Sequence, residues 1–350
     1  MNVNNISDTT DAVDPKLPRE TSVFFGHGAA EQALLSSYRS GRLAHAWLLT
    51  GAAGIGKATL AYRMARFVLA HPDHASVPAA GSSLQVSPQH PVARRIAAQA
   101  HGDLLVLERA INEKTGKLRQ EILVNDVRKA VRFFGSTAGE GGWRVAIVDA
   151  VDHLNSEGAN ALLKILEEPP ERALLLLLAH SPGRVLPTMR SRCRLLALVP
   201  LATADIARAA AAAVGRDAGD PVLSTAAAAA DGSVRRALGL LDPDALDLRN
   251  RVLLLLDQLP GIDAHALHAL GDRLAGTEAA SLGAFVDCVN AWLSARLHSA
   301  AQARPVRRDM IATAWEKFNT AARETEEFNL DRKPLVFNVF RLLADVCRGC

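Results

Sequence analysis

At 350 residues, with 49% hydrophobic residues, 22% charged residues and a net charge of +3, the chain has room for two or three packed domains and a globular profile. So slight a basic excess is compatible with nucleic acid nearby but is no evidence for it, and only two tyrosines argue against broad stacking on single-stranded bases. The longest leucine run, Leu174 to Leu178, suits a buried strand and is far too short to cross a bilayer. Cys193, Cys288, Cys347 and Cys350 are scattered, with no secretory signal before them. The expectation is a cytoplasmic protein with reduced thiols and no membrane partner.

In chain order, residues 1–20 are polar and are expected to form a disordered tail. From 21 to 200, short apolar runs alternate with helical patterns. Ala46–Thr50 is a candidate strand, followed by a glycine loop and a helix over Lys57–Ala70 with Leu60, Met64 and Phe67 on one face. Residues 71–101 read as an irregular insertion. Asp103–Glu108 is the next candidate strand, Val124–Phe134 a helix, and Arg144–Val148 a buried strand. Asn155–Glu168 is helical, with Ala159, Leu162, Leu163 and Leu166 on one stripe, and must stop at Pro169-Pro170. Leu174–Ala179 and Leu195–Val199 complete a set of near-continuous apolar strands. The pattern predicts an α/β fold: a parallel sheet with helices on both faces. Residues 201–242 are alanine-rich and helical, and amphipathic helices continue through 243–350, for example Arg249–Gln258 and Leu335–Val346. The expected organisation is a sheet domain over 21–200, a small helical domain over 201–242 and a larger helical one over 243–350.

The loop GAAGIGKATL (51–60) has the spacing of a phosphate-binding loop, with Gly51, Gly54, Gly56 and Lys57. The glycines let backbone N–H groups turn toward an anion, and the following helix offers its positive end. Lys57 would reach the outer phosphates. A glycine-rich turn without a ligand is the plainer alternative. Such loops place Ser or Thr after the lysine to hold Mg²⁺, but here Ala58 follows. Thr59 is rotated by about 100° along the helix and should face elsewhere. Asp149 ends an apolar strand, where an enzyme of this kind places its Mg²⁺-associated aspartate. The next residue, where many such ATPases carry a glutamate base, is Ala150. General-base catalysis is typically worth about 10²–10⁴ in rate. Hydrolysis here is therefore expected to be slow or absent, with ATP bound weakly if at all. Asp152 as a substitute base is the weaker alternative.

GRLAHAWLLTG (41–51), VRKAVRFF (127–134), NALLKILEEPP (160–170), RSRCRLLAL (190–198) and DGSVRRALGLLD (231–242) together resemble the bacterial clamp-loader family of AAA+ proteins. The defects at Ala58 and Ala150 point to the delta-prime branch of the DNA polymerase III clamp loader. The resemblance covers most of 21–242, and 243–350 only by position and helical character. It implies a P-loop AAA+ domain, a helical lid and an all-helical collar. It also implies a heteropentamer of ATPase subunits and delta that uses ATP to set a sliding clamp on primed DNA. In that arrangement Arg192 is a finger inserted into a neighbouring ATP site, and Arg235 matches a residue that senses nucleotide on its own chain. A planar, permanently charged guanidinium suits γ-phosphate oxygens. The plainer alternatives are a solvated basic loop for Arg192 and a helix-surface charge for Arg235.

Glu167 and Glu168 sit at a helix C-terminus, where the dipole disfavours negative charge, and Lys164 stands in the weaker orientation to Glu168. A compensating basic group in the fold or on a partner is expected, with a solvated helix end as the alternative. Many relatives carry a four-cysteine zinc module after the phosphate-loop helix. This chain has no cysteine before Cys193, and the spacing of His71, His74, His90 and His101 fits no zinc motif, so no zinc is expected. Cys347 and Cys350 have CxxC spacing at the chain end and are expected to be incidental. Two rival readings stand beside a non-hydrolysing subunit. One is an active ATP-hydrolysing loader subunit using Lys57 and Asp149, and the other is an unrelated AAA+ DNA-repair helper.

Overall fold

Five strands, each shorter than eight residues, set the frame: β1 (Ala46–Thr50), β2 (Leu104–Glu108), β3 (Arg144–Asp149), β4 (Ala173–Ala179) and β5 (Arg194–Ala197). The computed structural model describes residues 15–77, 83–112, 116, 118–135, 139, 142–275, 279–299 and 305–348. Every strand pairing is parallel, and the order across the sheet is β2-β3-β4-β1-β5. The chain divides into two compact units between Leu238 and Gly239.

In the first unit the helices are α1 (Gly28–Arg39), α2 (Lys57–Ala70), α3 (Pro91–Ala97), α4 (Val124–Gly135), α5 (Ser156–Glu167), α6 (Pro187–Arg190), α7 (Thr203–Val214), α8 (Pro221–Ala228) and α9 (Val234–Gly239). The leucine run of β4 shows why the sheet is covered twice. Side chains alternate across a strand. Leu174, Leu176 and Leu178 enter one core with Leu34, Leu60, Met64 and Ile96 of α1, α2 and α3. Leu175 and Leu177 enter the other with Val127, Leu162 and Leu166 of α4 and α5. All five leucines are fully buried, each worth about 1.5–3 kcal/mol over exposure.

Local chemistry sets the helix ends. Asn155 caps α5 by accepting the Gly158 N–H at 2.8 Å, and the helix ends at Glu167 before the two prolines. Within the stretch expected to be irregular, His90 caps α3 and Pro91 opens it, with Val92, Ala93 and Ile96 turned inward. The expected tail falls mostly on residues 1–14, outside the described residues. Its described part is tethered, because Arg66 donates to the Pro18 carbonyl at 3.3 Å and the Lys16 N–H donates to the Ala213 carbonyl at 2.9 Å. The expected lid boundary at residue 200 falls inside the first unit, and the expected boundary at 242 lies just past the division.

The second unit contains α10 (Pro243–Asp257), α11 (Ala264–Ala275), α12 (Ala279–Ser299), α13 (Pro305–Glu327) and α14 (Arg332–Arg348). Phe285, Val289, Leu293, Phe318, Val336 and Phe340 form its centre. A polar cluster joins α12 and α13: Trp315 Nε1 donates to Asn290 Oδ1 at 2.7 Å, and Asn319 donates to the same oxygen at 3.1 Å. Cys350 lies outside the described residues. Among the described residues, no helix is long and apolar enough to cross a membrane.

Candidate nucleotide site and arginine loop

Strand order brings the site together. β4 lies between β1 and β3, so their C-terminal ends present the 51–56 loop, His180 and Asp149 side by side. In open parallel sheets this edge is where ligands bind. Gly54 has φ +77°, and a Cβ there would stand 2.6 Å from the Arg235 Cβ and closer still to Ser233 Oγ. The approach is so tight because Ser233 Oγ donates to the Ala53 carbonyl at 3.1 Å and the Arg235 N–H donates to the Gly54 carbonyl at 3.3 Å. The loop thus carries the 230–239 segment against itself. Gly51, at φ +140°, lies against the Leu198 carbonyl after β5, and Gly56 is the left-handed residue opening α2.

Lys57 is buried, and its Nζ donates to the carbonyls of Gly51 at 2.7 Å and Ala52 at 2.6 Å. Burial lowers its pKa from 10.5 to about 8, against the opposing pull of Asp149 and Asp152. Ala58 packs at the margin of the apolar core, and Ala150 is buried in it. Neither position supplies an oxygen. A nucleotide–magnesium pair held by a loop hydroxyl and activated by a carboxylate after Asp149 does not fit these residues.

Asp149 ends β3 in register with Glu108 of β2. Burial raises its pKa, with Lys57 opposing and Glu108 reinforcing the rise. His180 places Nε2 4.0 Å from Asp149 Oδ1. Burial and then Lys57 push the imidazole down to about 4, so it is neutral near pH 7 and makes no ion pair there. Asp152 is committed elsewhere. Its carboxylate accepts the His180 N–H at 3.2 Å and the Ser181 N–H at 3.0 Å, tying the segment after β3 to the end of β4. Arg235 has an exposed side chain, yet its charge opposes ionisation at His180 and favours it at Asp149.

Arg192 stands apart from this cluster, in the loop between α6 and β5. Its Nη2 lies 2.9 Å from Glu167 Oε1, and its Nη1 donates to the Thr188 carbonyl at 2.9 Å. This is the compensating cation for the carboxylate at the end of α5. Next to it, burial raises the Cys193 thiol to about 11, which leaves the sulfur unionised near pH 7.

Gly51, Gly54, Gly56, Lys57, Asp149 and Arg235 therefore share one end of the sheet, and Arg192 does not. His180, Glu108 and Ser233 belong to that site as well. The only sequence signal for the first two is position: each is a polar residue at the end of an apolar strand. The four histidines considered for zinc have local roles or neighbours. The His71 ring packs on Phe67, and its carbonyl accepts the Tyr38 hydroxyl. His74 lies under Gly41. His90 caps α3, and His101 accepts the Asp103 N–H at 3.2 Å.

A family model described as "DNA polymerase III, delta subunit" matches residues 26–202, half of the chain. The chain is 40% identical over 164 residues to a DNA polymerase III subunit delta' of Pseudomonas aeruginosa, covering 46% of each chain. It is 32% identical over 172 residues to the subunit delta' of Escherichia coli, covering 48% of this chain and 46% of the relative. To the E. coli subunit tau it is 30% identical over 213 residues, 60% of this chain and 30% of that one. The matches thus span about half the length of the delta' relatives. A solved DNA polymerase III gamma subunit-related protein from Thermotoga maritima is 16% identical, covering 89% of this chain and 99% of that one. Its TM-score of 0.42 is too low to argue from.

Proposed function

From the premise that the chain belongs to the DNA polymerase III delta' family, we propose that it is a stator of the clamp loader. It does not hydrolyse ATP, and it lends Arg192 to an adjacent ATPase subunit. One observation carries this reading. At the two positions where phosphate-loop chemistry requires an oxygen, Ala58 and Ala150 place methyl groups against apolar packing. The loop retains another use, since its Ala53 and Gly54 carbonyls hold the segment bearing Ser233 and Arg235. Arg235 is then a remnant of nucleotide sensing rather than a working sensor. ATP binds weakly at most, and zinc has no part.

Chemistry moves to the neighbouring subunit's site. A guanidinium there stabilises charge on the transferring phosphoryl group, an effect worth about 10³–10⁵ in kcat at a site that depends on it. Arg192 suits the task because it is exposed on a loop whose base is fixed. Met189, just before it, is buried against α5, and Cys193, just after it, packs on the same core. The partners are the ATPase subunits and delta of a heteropentamer, in which the 243–350 helices serve as a collar. Primed DNA and the sliding clamp are met through the complex.

The test is reconstitution of the loader with Arg192→Ala and measurement of fluorescent clamp placed on primed DNA. The complex should assemble at normal stoichiometry, and loading should fall by at least tenfold. Normal loading would refute the finger role. ATP turnover by the isolated chain, abolished by Lys57→Ala, would refute the stator reading and favour an active ATPase subunit.

A further inference from the structure

We infer that Glu167 is a positioning residue for Arg192: it fixes the direction in which the guanidinium is presented to a neighbouring subunit's triphosphate. The inference rests on the reading of Arg192 as a trans-acting finger. Its starting point is an otherwise unfavourable carboxylate. Glu167 is the last residue of α5, where exposed carbonyls repel negative charge. Its partner is the Arg192 Nη2 at 2.9 Å.

The guanidinium is gripped from two sides. Glu167 on α5 holds Nη2, and the Thr188 carbonyl of α6 accepts from Nη1 at 2.9 Å. Both supports are anchored in one core. Leu162, Ile165 and Leu166 of α5 and Met189 of α6 are buried together, with Cys193 packed against them. A guanidinium hydrogen-bonded to one helix and ion-paired to another is restricted in the direction it can take. The Thr188 bond occupies one of the five N–H donors of the guanidinium. An incoming oxyanion can therefore be taken up by the other donors without releasing that bond.

Stability does not account for the pair. The side chains are 37% and 48% exposed, and ion pairs in that setting contribute little to folding. Orientation is the remaining role, since a misplaced group in a transition-state contact is costly even where the ground state is unaffected. Glu168, beside it, is exposed and makes no ion pair with an arginine among the described residues.

The experiment uses the reconstituted full complex with Glu167→Ala, Glu167→Gln and Arg192→Ala. DNA-stimulated turnover is measured across ATP concentration to separate kcat from KM. Arg192→Ala defines the part of kcat that depends on the finger. Glu167→Ala should lower that part roughly two- to fivefold, the range expected for loss of a surface ion pair. KM for ATP should be unchanged, and so should the melting temperature of the subunit. Glu167→Gln, which keeps the size of the side chain but not its charge, should leave most of that loss in place. If Arg192→Ala lowers kcat but Glu167→Ala leaves it at or above the wild-type value, the positioning role is overturned and the finger survives. If Arg192→Ala also matches wild type, it is the finger reading itself that fails. A Glu167→Gln variant with the full wild-type kcat would likewise overturn the positioning role, since the contact is one of charge.

Discussion

Replacing Lys57 with methionine should remove an alkaline rise in stability that the wild-type chain possesses. The folded protein holds this ammonium with a pKa of about 8, against 10.5 for an exposed lysine, because burial disfavours the charge. Below pH 8 the folded and unfolded chains both carry the proton. Between pH 8 and 10.5 the unfolded chain keeps a proton that the folded chain has shed, so stability increases with pH across that window. At about 1.36 kcal/mol per pH unit, the span from about 8 to 10.5 gives a ceiling of about 3.4 kcal/mol. The ammonium's bonds to the Gly51 and Ala52 carbonyls favour the charged form, which makes this figure an upper limit. The assay is urea unfolding of the isolated wild-type and Lys57→Met chains at steps from pH 7.5 to 10.5. Tyr38 and Tyr62, both raised to about 12 by burial, titrate alike in the two chains and cancel in the difference. The wild-type curve should climb relative to the variant by about 1–3 kcal/mol, and at pH 7.5 the variant should be at least as stable. Parallel curves would show that Lys57 is not a desolvated lysine. They would remove the argument that this buried charge destabilises the folded chain.

Two other substitutions probe the same end of the sheet. Gly54→Ala forces a Cβ into Ser233 and Arg235 at positive φ, and should cost about 1–3 kcal/mol in urea unfolding while raising proteolysis within residues 230–239. Asp152→Ala strips the acceptor from the His180 and Ser181 N–H groups and should cost about 1–3 kcal/mol without altering clamp loading once the chain is folded. A loading defect in a stable Asp152→Ala complex would instead give that carboxylate a part in chemistry.

The centre of the sheet was legible because β1, β3 and β4 are buried on both faces. VAIVD over Val145–Asp149 and the leucines of β4 read as strands without any need for alternation, and Pro169-Pro170 fixed the end of α5. α3 was not legible, since seven residues give too short a helical period and its cap is a histidine rather than Ser, Thr or Asp. The glycines, Lys57 and Asp149 were readable from spacing alone. His180 and Glu108 were not, because what brings them to Asp149 is the order of strands, which no local pattern encodes. Glu167 is an intermediate case. Helix electrostatics marked it as needing a cation, but the identity of that cation depended on how α6 packs against α5.

The central claim is that this protomer's own site is idle while its arginine serves another. It is tested most directly by DNA-stimulated ATP turnover in the reconstituted loader, measured with Lys57→Ala and Arg192→Ala in parallel. Turnover should be retained with Lys57→Ala and largely lost at the site that faces Arg192 with Arg192→Ala. The reverse pattern, loss with Lys57→Ala and retention with Arg192→Ala, would contradict the account.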